Sequence, residues 1–97
     1  MFMGPGSRIT RHLQILGRVQ GVGFRFYMER KAHELNVTGW VRNRRDGSVE
    51  AVVQGPPQSV ETIVAWARHG PSSAAVSEVR IAEGDGEYVA FVALPTA

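Results

Sequence analysis

Gly17-Arg18-Val19-Gln20-Gly21-Val22-Gly23-Phe24-Arg25 sets three glycines and a closing arginine between an apolar run and a helix-like pattern. Glycine lacks the Cβ that disfavours left-handed backbone, so such a run can turn its N–H groups inward around a small anion. The helix that follows adds the positive end of its dipole. Arg25 adds a planar fork of donors matched to phosphate oxygens. The chemistry this points to is phosphoryl binding by a loop of Gln20, Gly21, Val22, Gly23, Phe24 and Arg25. The competing reading is a β-to-α turn with Arg25 as surface charge. Arg18 either lines the entrance to such a loop or faces solvent.

A second stretch, Gly39-Trp40-Val41-Arg42-Asn43, runs into Asp46-Gly47. The Asn43 amide donates and accepts at once and does not titrate near neutral pH, so it can hold a water. An asparagine before a hairpin also bonds its own backbone as a turn residue. Both readings are open at this stage. Arg42, Arg44 and Arg45 cluster beside Asp46 and Glu50. They read as a local field that attracts a small anion, or as a solvated hairpin.

The remaining chemically capable residues read as structure. His12, His33 and His69 are isolated and lack metal-ligand spacing, so no metal is expected. Trp40 and Trp66 read as packing. Tyr27 and Met28 fall in a core stripe, and Glu29 and Glu34 on a solvated helical face.

These candidates need a scaffold. Ile9 to Leu16 reads as a strand with Leu13 and Ile15 on one face and His12 and Gln14 on the other. From Phe24 to Leu35 the pattern is helical, with Phe24, Tyr27, Met28, Ala32 and Leu35 near one stripe. Asn36 is a left-handed stop. Val37–Arg44 and Ser48–Gln54 read as strands around the Asp46-Gly47 hairpin turn. Gly55-Pro56-Pro57 opens a second helix, with Val60, Ile63, Val64 and Ala67 as its buried stripe, and Gly70-Pro71 stops it. Val76, Val79 and Ile81 mark a fourth strand whose spacing breaks strict alternation. Glu83–Glu87 is a turn, and Tyr88–Leu94 a short last strand. Two helices on one face of an antiparallel sheet bury both stripes at once. The order is the ferredoxin-like split βαβ arrangement, an α+β sandwich (βαββαβ) with a short C-terminal strand added. That fold hosts many functions and does not choose among them.

Composition sets outer bounds. At 97 residues the chain is expected to form one domain over residues 9–97 after a flexible leader of residues 1–8. Without cysteine there is no disulfide framework, thiolate nucleophile or cysteine-ligated zinc. No apolar stretch approaches the roughly 18–20 residues that span a bilayer, and the N-terminus lacks a signal-peptide pattern. A cytoplasmic protein without membrane contact is expected. A net charge of only +2 and the lack of aromatics interleaved with a broad basic surface speak against nucleic acid as a partner.

The two strings together resemble the acylphosphatase family. Gly17 to Arg25 is similar to that family's phosphate-loop signature. Gly39 to Asn43, followed by Gly47-Ser48-Val49 and Gly55, resembles its second signature. The resemblance runs from about Thr10 to Leu94, and includes the Gly70-Pro71 stop and the element order. Two departures stand out: Phe91-Val92-Ala93-Leu94-Pro95 lacks the arginine- or tyrosine-bearing tail common in the family, and Asn36 stands where many members carry glycine.

The resemblance implies hydrolysis of a carboxylic–phosphoric anhydride to a carboxylate and phosphate. Arg25 would bind the phosphoryl group and Asn43 would orient the attacking water. It further implies a small-molecule acyl phosphate as substrate, phosphate or sulfate as a competing anion, no metal or cofactor, and a monomer. The residues fit this chemistry. A carboxylate leaves readily, and a loose phosphoryl-transfer transition state needs little help in deprotonating water. Two rivals remain. One is a binding module that holds a phosphate-bearing ligand or RNA; against RNA, the open face of the first strand offers His12 and Gln14 rather than aromatics. The other is a module like those within larger maturation proteins.

Overall fold

Leu13 and Ile15 alternate with His12 and Gln14 along β1 (Ile9–Arg18), and both are fully buried. That alternation gives the strand one core face and one open face. The computed structural model describes residues 7–97, so most of the expected leader lies outside the described residues. Arg8, at the edge of that leader, already donates to Thr38 Oγ1 at 3.0 Å.

Helix α1 (Phe24–Leu35) follows the glycine loop, then β2 (Thr38–Asn43), β3 (Val49–Gly55), α2 (Pro57–Ala67), β4 (Ala75–Glu83) and β5 (Phe91–Ala93). The sheet order is β4-β1-β3-β2-β5. The first four strands pair antiparallel, and β5 joins β2 in parallel. This is the expected ferredoxin-like sandwich with its added strand, and the addition makes the sheet mixed. Phe24, Met28 and Ala32 from α1, and Val60, Ile63 and Ala67 from α2, close one core over Leu13, Ile15, Val41, Ala51 and Val53.

The helix ends obey local chemistry. Asn36 takes the left-handed conformation at φ 57° and stops α1, while the Val37 N–H caps the Ala32 carbonyl at 2.9 Å. Pro57 opens α2 in its first turn, where no N–H donor is required. The stripe of α1 is narrower than its periodicity suggests. Tyr27 is 45% exposed and turns away from the core. Its ring instead packs toward Gly23, where an added Cβ would meet it at 3.2 Å.

The irregular spacing of Val76 and Val79 has a simple cause. Leu16 pairs with Glu78 but Gly17 pairs with Val76, so Ser77 is an extra residue in β4. A bulge of this kind resets the alternation, and both valines pack against the core. Gly17 sits at the bulge with φ 121°, and a Cβ there would run into the Ala75 carbonyl and the Ser77 nitrogen. Glycine is required on both counts.

The segment from Gly84 to Ala90 carries the chain from β4, at one edge, to β5, at the other. Gln54, 3% exposed, holds it there. Its amide donates to Thr10 Oγ1 at 2.9 Å and the Gly86 carbonyl at 2.8 Å, and accepts from the Tyr88 N–H at 3.1 Å. With this crossing fixed, β5 lies alongside β2 and ends near Asn43.

Candidate active site

The glycine loop ends in the N-terminus of α1. Gly21 has φ 73°, and Gly23, the N-cap, has φ 80° and ψ 19°. No side chain caps the helix, and its first turn holds no acidic residue. Among the described residues, the N–H groups of Gly21, Val22, Gly23, Phe24, Arg25 and Phe26 have no acceptor; the first main-chain bond of the helix is Tyr27 N–H to the Gly23 carbonyl at 3.0 Å. Free donors at a helix start whose first turn holds no acidic residue are suited to an anion.

Arg25 and Asn43 meet at this loop. A cavity of about 340 Å³ is lined by Val19, Gly21, Gly23, Phe24, Arg25, Phe26, Glu29, Asn43 and Ala93. Arg25 is half-buried and donates one N–H to the Leu94 carbonyl at 3.3 Å. A guanidinium has five N–H donors, so most remain for a ligand. A larger hollow of about 470 Å³ lies beyond Tyr27, lined in part by Arg30, Lys31 and Ser73. It holds neither Arg25 nor Asn43, and size alone does not make it the site.

Of the predicted loop residues, Gly21, Gly23, Phe24 and Arg25 line the cavity. The Phe24 side chain is 2% exposed and packs on Trp66 with ring centroids 5.3 Å apart, so only its main chain is available to an anion. Val22 packs against the core and lines the other hollow. The Gln20 side chain turns to the hairpin, donating to the carbonyls of Arg44 at 2.7 Å and Ser48 at 2.9 Å. Arg18 leans the other way, toward the Ser73 carbonyl at 3.3 Å.

Asn43 ends β2 opposite Val49, and its side chain makes no hydrogen bond among the described residues. The turn role open to it in sequence is performed by Asp46. Oδ1 of Asp46 accepts from the Ser48 N–H at 2.9 Å and the Ser48 hydroxyl at 2.6 Å. These bonds, the side-chain one foremost, hold the Asp46 carboxyl below its usual range. The Asn43 amide is thereby left free at the cavity wall. Its main-chain carbonyl accepts from the Ala97 N–H at 3.0 Å, tying the chain end to the site.

The arginine cluster is not at the cavity. Arg42 Nε donates to Glu50 Oε1 at 2.8 Å, Arg44 to the same oxygen at 3.3 Å, and His12 Nε2 lies 2.6 Å from Oε2. Arg42 and Glu50 face each other on the open side of the sheet, one residue out of phase with Asn43. Arg42 also lies 4.9 Å from the Trp40 ring centroid. The expected anion-attracting charge of Arg42 and Arg44 thus lies on the open face, where the two share the one carboxylate of Glu50.

Burial pushes the Glu50 carboxyl up, but the hydrogen bonds and charges of His12 and Arg42 outweigh it, and its pKa is lowered from 4.5. A lowered folded-state value contributes stability above the unfolded value that is lost as pH falls through the folded one. Glu50→Gln is therefore expected to cost on the order of 1 kcal/mol at pH 7. The gap in melting temperature between the two proteins should close as pH drops below 4.5. Melting curves from pH 7 to pH 3 check this; a gap independent of pH would refute it.

Glu29 was not expected here. It lines the cavity with Arg25 rather than standing free on an outer face. Its spacing of four residues from Arg25 puts both on one helical face, a signal present in the sequence. Phe26, 56% exposed, forms the rim with its ring edge-on to Tyr27, centroids 5.2 Å apart. Among the described residues, no group of three His, Cys, Asp or Glu side chains is gathered as for a metal ion, and no helix is long and apolar enough to cross a membrane.

Residues 11–92 match the family model described as Acylphosphatase. The chain is 60% identical over 82 residues to an acylphosphatase of Thiobacillus denitrificans, a match that covers 84% of this chain and 92% of that one. An acylphosphatase structure from Coxiella burnetii is similar with a TM-score of 0.86 and 39% identity, covering 90% of this chain and 93% of that one. Full-length HypF in its phosphate- and nucleotide-bound form gives a TM-score of 0.85 at 28% identity; there 93% of this chain matches 12% of a much longer one.

Proposed function

This chain belongs to the acylphosphatase family and hydrolyses acyl phosphates, and we propose that the glycine loop and Arg25 hold the phosphoryl group while Asn43 orients the attacking water. The reading rests on one observation: free loop N–H groups, a guanidinium and an unengaged amide line a single cavity. The loop donors and Arg25 stabilise charge on the phosphoryl oxygens as it develops. Water attacks phosphorus from the Asn43 side. The bond from phosphorus to the acyl oxygen breaks, its electron pair leaves with the carboxylate, and one proton of the water stays on the new P–OH while the other passes to an oxygen of the phosphate being formed. A loose transition state requires no strong base for this. Positioning carries the rate.

In this reading the reaction needs no metal ion or cofactor, because Arg25 and the loop donors supply the positive charge. Inorganic phosphate and sulfate occupy the same donors and compete with substrate. Residues 9–97 act as one cytoplasmic, monomeric domain. Phosphate release from a synthetic acyl phosphate such as acetyl phosphate tests the scheme. Turnover is expected to survive exhaustive chelation and to be inhibited competitively by phosphate and sulfate. Activity that vanishes with chelator and returns with magnesium or zinc would overturn the metal-free scheme, and noncompetitive inhibition would overturn the anion site.

A further inference from the structure

We propose that Gln20 is a positioning residue whose side-chain amide ties the anion loop to the hairpin carrying Asn43, and so sets the spacing between phosphoryl group and attacking water. The proposal rests on the roles given above to Arg25 and Asn43.

The Gln20 amide nitrogen donates to the carbonyls of Arg44 at 2.7 Å and Ser48 at 2.9 Å. A primary amide has two N–H donors, and both are used here. Both partners can only accept, so the nitrogen, not the oxygen, must face the hairpin. No side-chain donor of Gln20 is left for an anion in the cavity. Its side chain therefore serves as a tie and not as a phosphate ligand, and only its main-chain N–H is left to the anion.

The place where it grips matters. Arg44 directly follows Asn43, and Ser48 directly precedes Val49, the residue paired with Asn43 across β2 and β3. The two carbonyls therefore flank the rung that carries Asn43. At the other end Gln20 directly precedes Gly21, which lines the cavity. From Gln20 to Gly23 no main-chain N–H has a partner among the described residues. The loop is held by the buried side chains of Val19 and Phe24 at its ends, and between them by Val22 against the core and Gln20 against the hairpin.

Arg25 and the donors of the α1 N-terminus keep their helix when the clamp is cut. Asn43 keeps its strand. What is lost is the fixed distance between them. An alignment error of about 1 Å costs on the order of 10²-fold in rate. The signature is a fall in turnover without a matching fall in anion affinity.

Gln20→Met keeps the length and removes both donors. Gln20→Glu turns a carboxylate toward two carbonyls. Turnover of acetyl phosphate and the phosphate inhibition constant are measured for both, for Asn43→Ala, and for Asn43→Ala combined with Gln20→Met, with folding followed by melting curves. Gln20→Met should lose about 10- to 10²-fold in turnover, with the phosphate constant moving less than about threefold. Gln20→Glu should lose at least as much at pH 7 and regain part at lower pH, where a protonated carboxyl returns one donor. In the Asn43→Ala background, Gln20→Met should cost less than about threefold more, since the group it positions is gone. The proposal is overturned by normal turnover in folded Gln20→Met, by a full multiplicative loss in the double variant, by an equal loss of phosphate affinity, or by failure of both Gln20 variants to fold, which would make the clamp a folding determinant. Normal turnover in Asn43→Ala would instead remove the water-orienting role itself, and the clamp with it.

Discussion

Arg25→Ala should lower kcat/KM by about 10³-fold or more, on the order of 4 kcal/mol, the scale at which an arginine stabilises a transferring phosphoryl group. The loss should divide between binding and turnover, because the guanidinium meets the phosphoryl oxygens in both the ground and transition states. The phosphate inhibition constant should rise with it, by about tenfold or more. Arg25→Lys should restore only part, since a point charge cannot reproduce a two-pronged contact. Fold loss is not expected to confuse the result. Arg25 is half-buried, and among the described residues its one side-chain hydrogen bond is to the Leu94 carbonyl at 3.3 Å. Turnover, phosphate inhibition and melting temperature for both purified variants decide the matter. A folded Arg25→Ala protein that binds phosphate normally would refute the loop as the anion site.

The parts of this site that were legible in sequence are those set by local chemistry. Positive φ at Gly21 and Gly23, the helix start behind them, and the left-handed stop at Asn36 each follow from a few adjacent residues. The four antiparallel strands and two helices follow from alternation and helical spacing. The rest depends on partners distant in the chain. Gln20 bonds carbonyls 24 and 28 residues away, and nothing near it in sequence marks it as a clamp. Gln54 reaches Tyr88, 34 residues on, and so fixes where β5 begins. Helical periodicity puts Tyr27 inside, but the ridge that meets the core is Phe24, Met28, Ala32 and Leu35, and the Tyr27 ring packs toward Gly23. The charge of Arg42 and Arg44 is evident in sequence; that Glu50 gathers it on the open face is not. Asn43 shows the boundary most clearly. Its two readings are equivalent locally, and they separate only because Asp46 takes the turn role and leaves the amide at the cavity.

Asn43→Ala should therefore act on the rate and not on the anion. The substitution removes a preorganised polar group that orients the water, and turnover should fall by about 10²-fold or more, on the order of 3 kcal/mol. The phosphate inhibition constant should stay near its normal value, because the loop donors and Arg25 remain. Folding should be little affected, since the Asn43 side chain makes no hydrogen bond among the described residues and the main-chain pairing with Val49 and Ala97 does not depend on it. Asn43→Asp gives a second reading of the same position. It keeps the shape but sets a carboxylate beside the phosphoryl group, so like-charge repulsion should weaken phosphate binding as well as slow turnover. The contrast between alanine and aspartate separates a missing orienting group from a repelled anion. Steady-state kinetics and phosphate inhibition on the two variants provide the measurement. If folded Asn43→Ala turns over at a near-normal rate, water must be oriented elsewhere. Glu29, which lines the same cavity, then becomes the residue to replace.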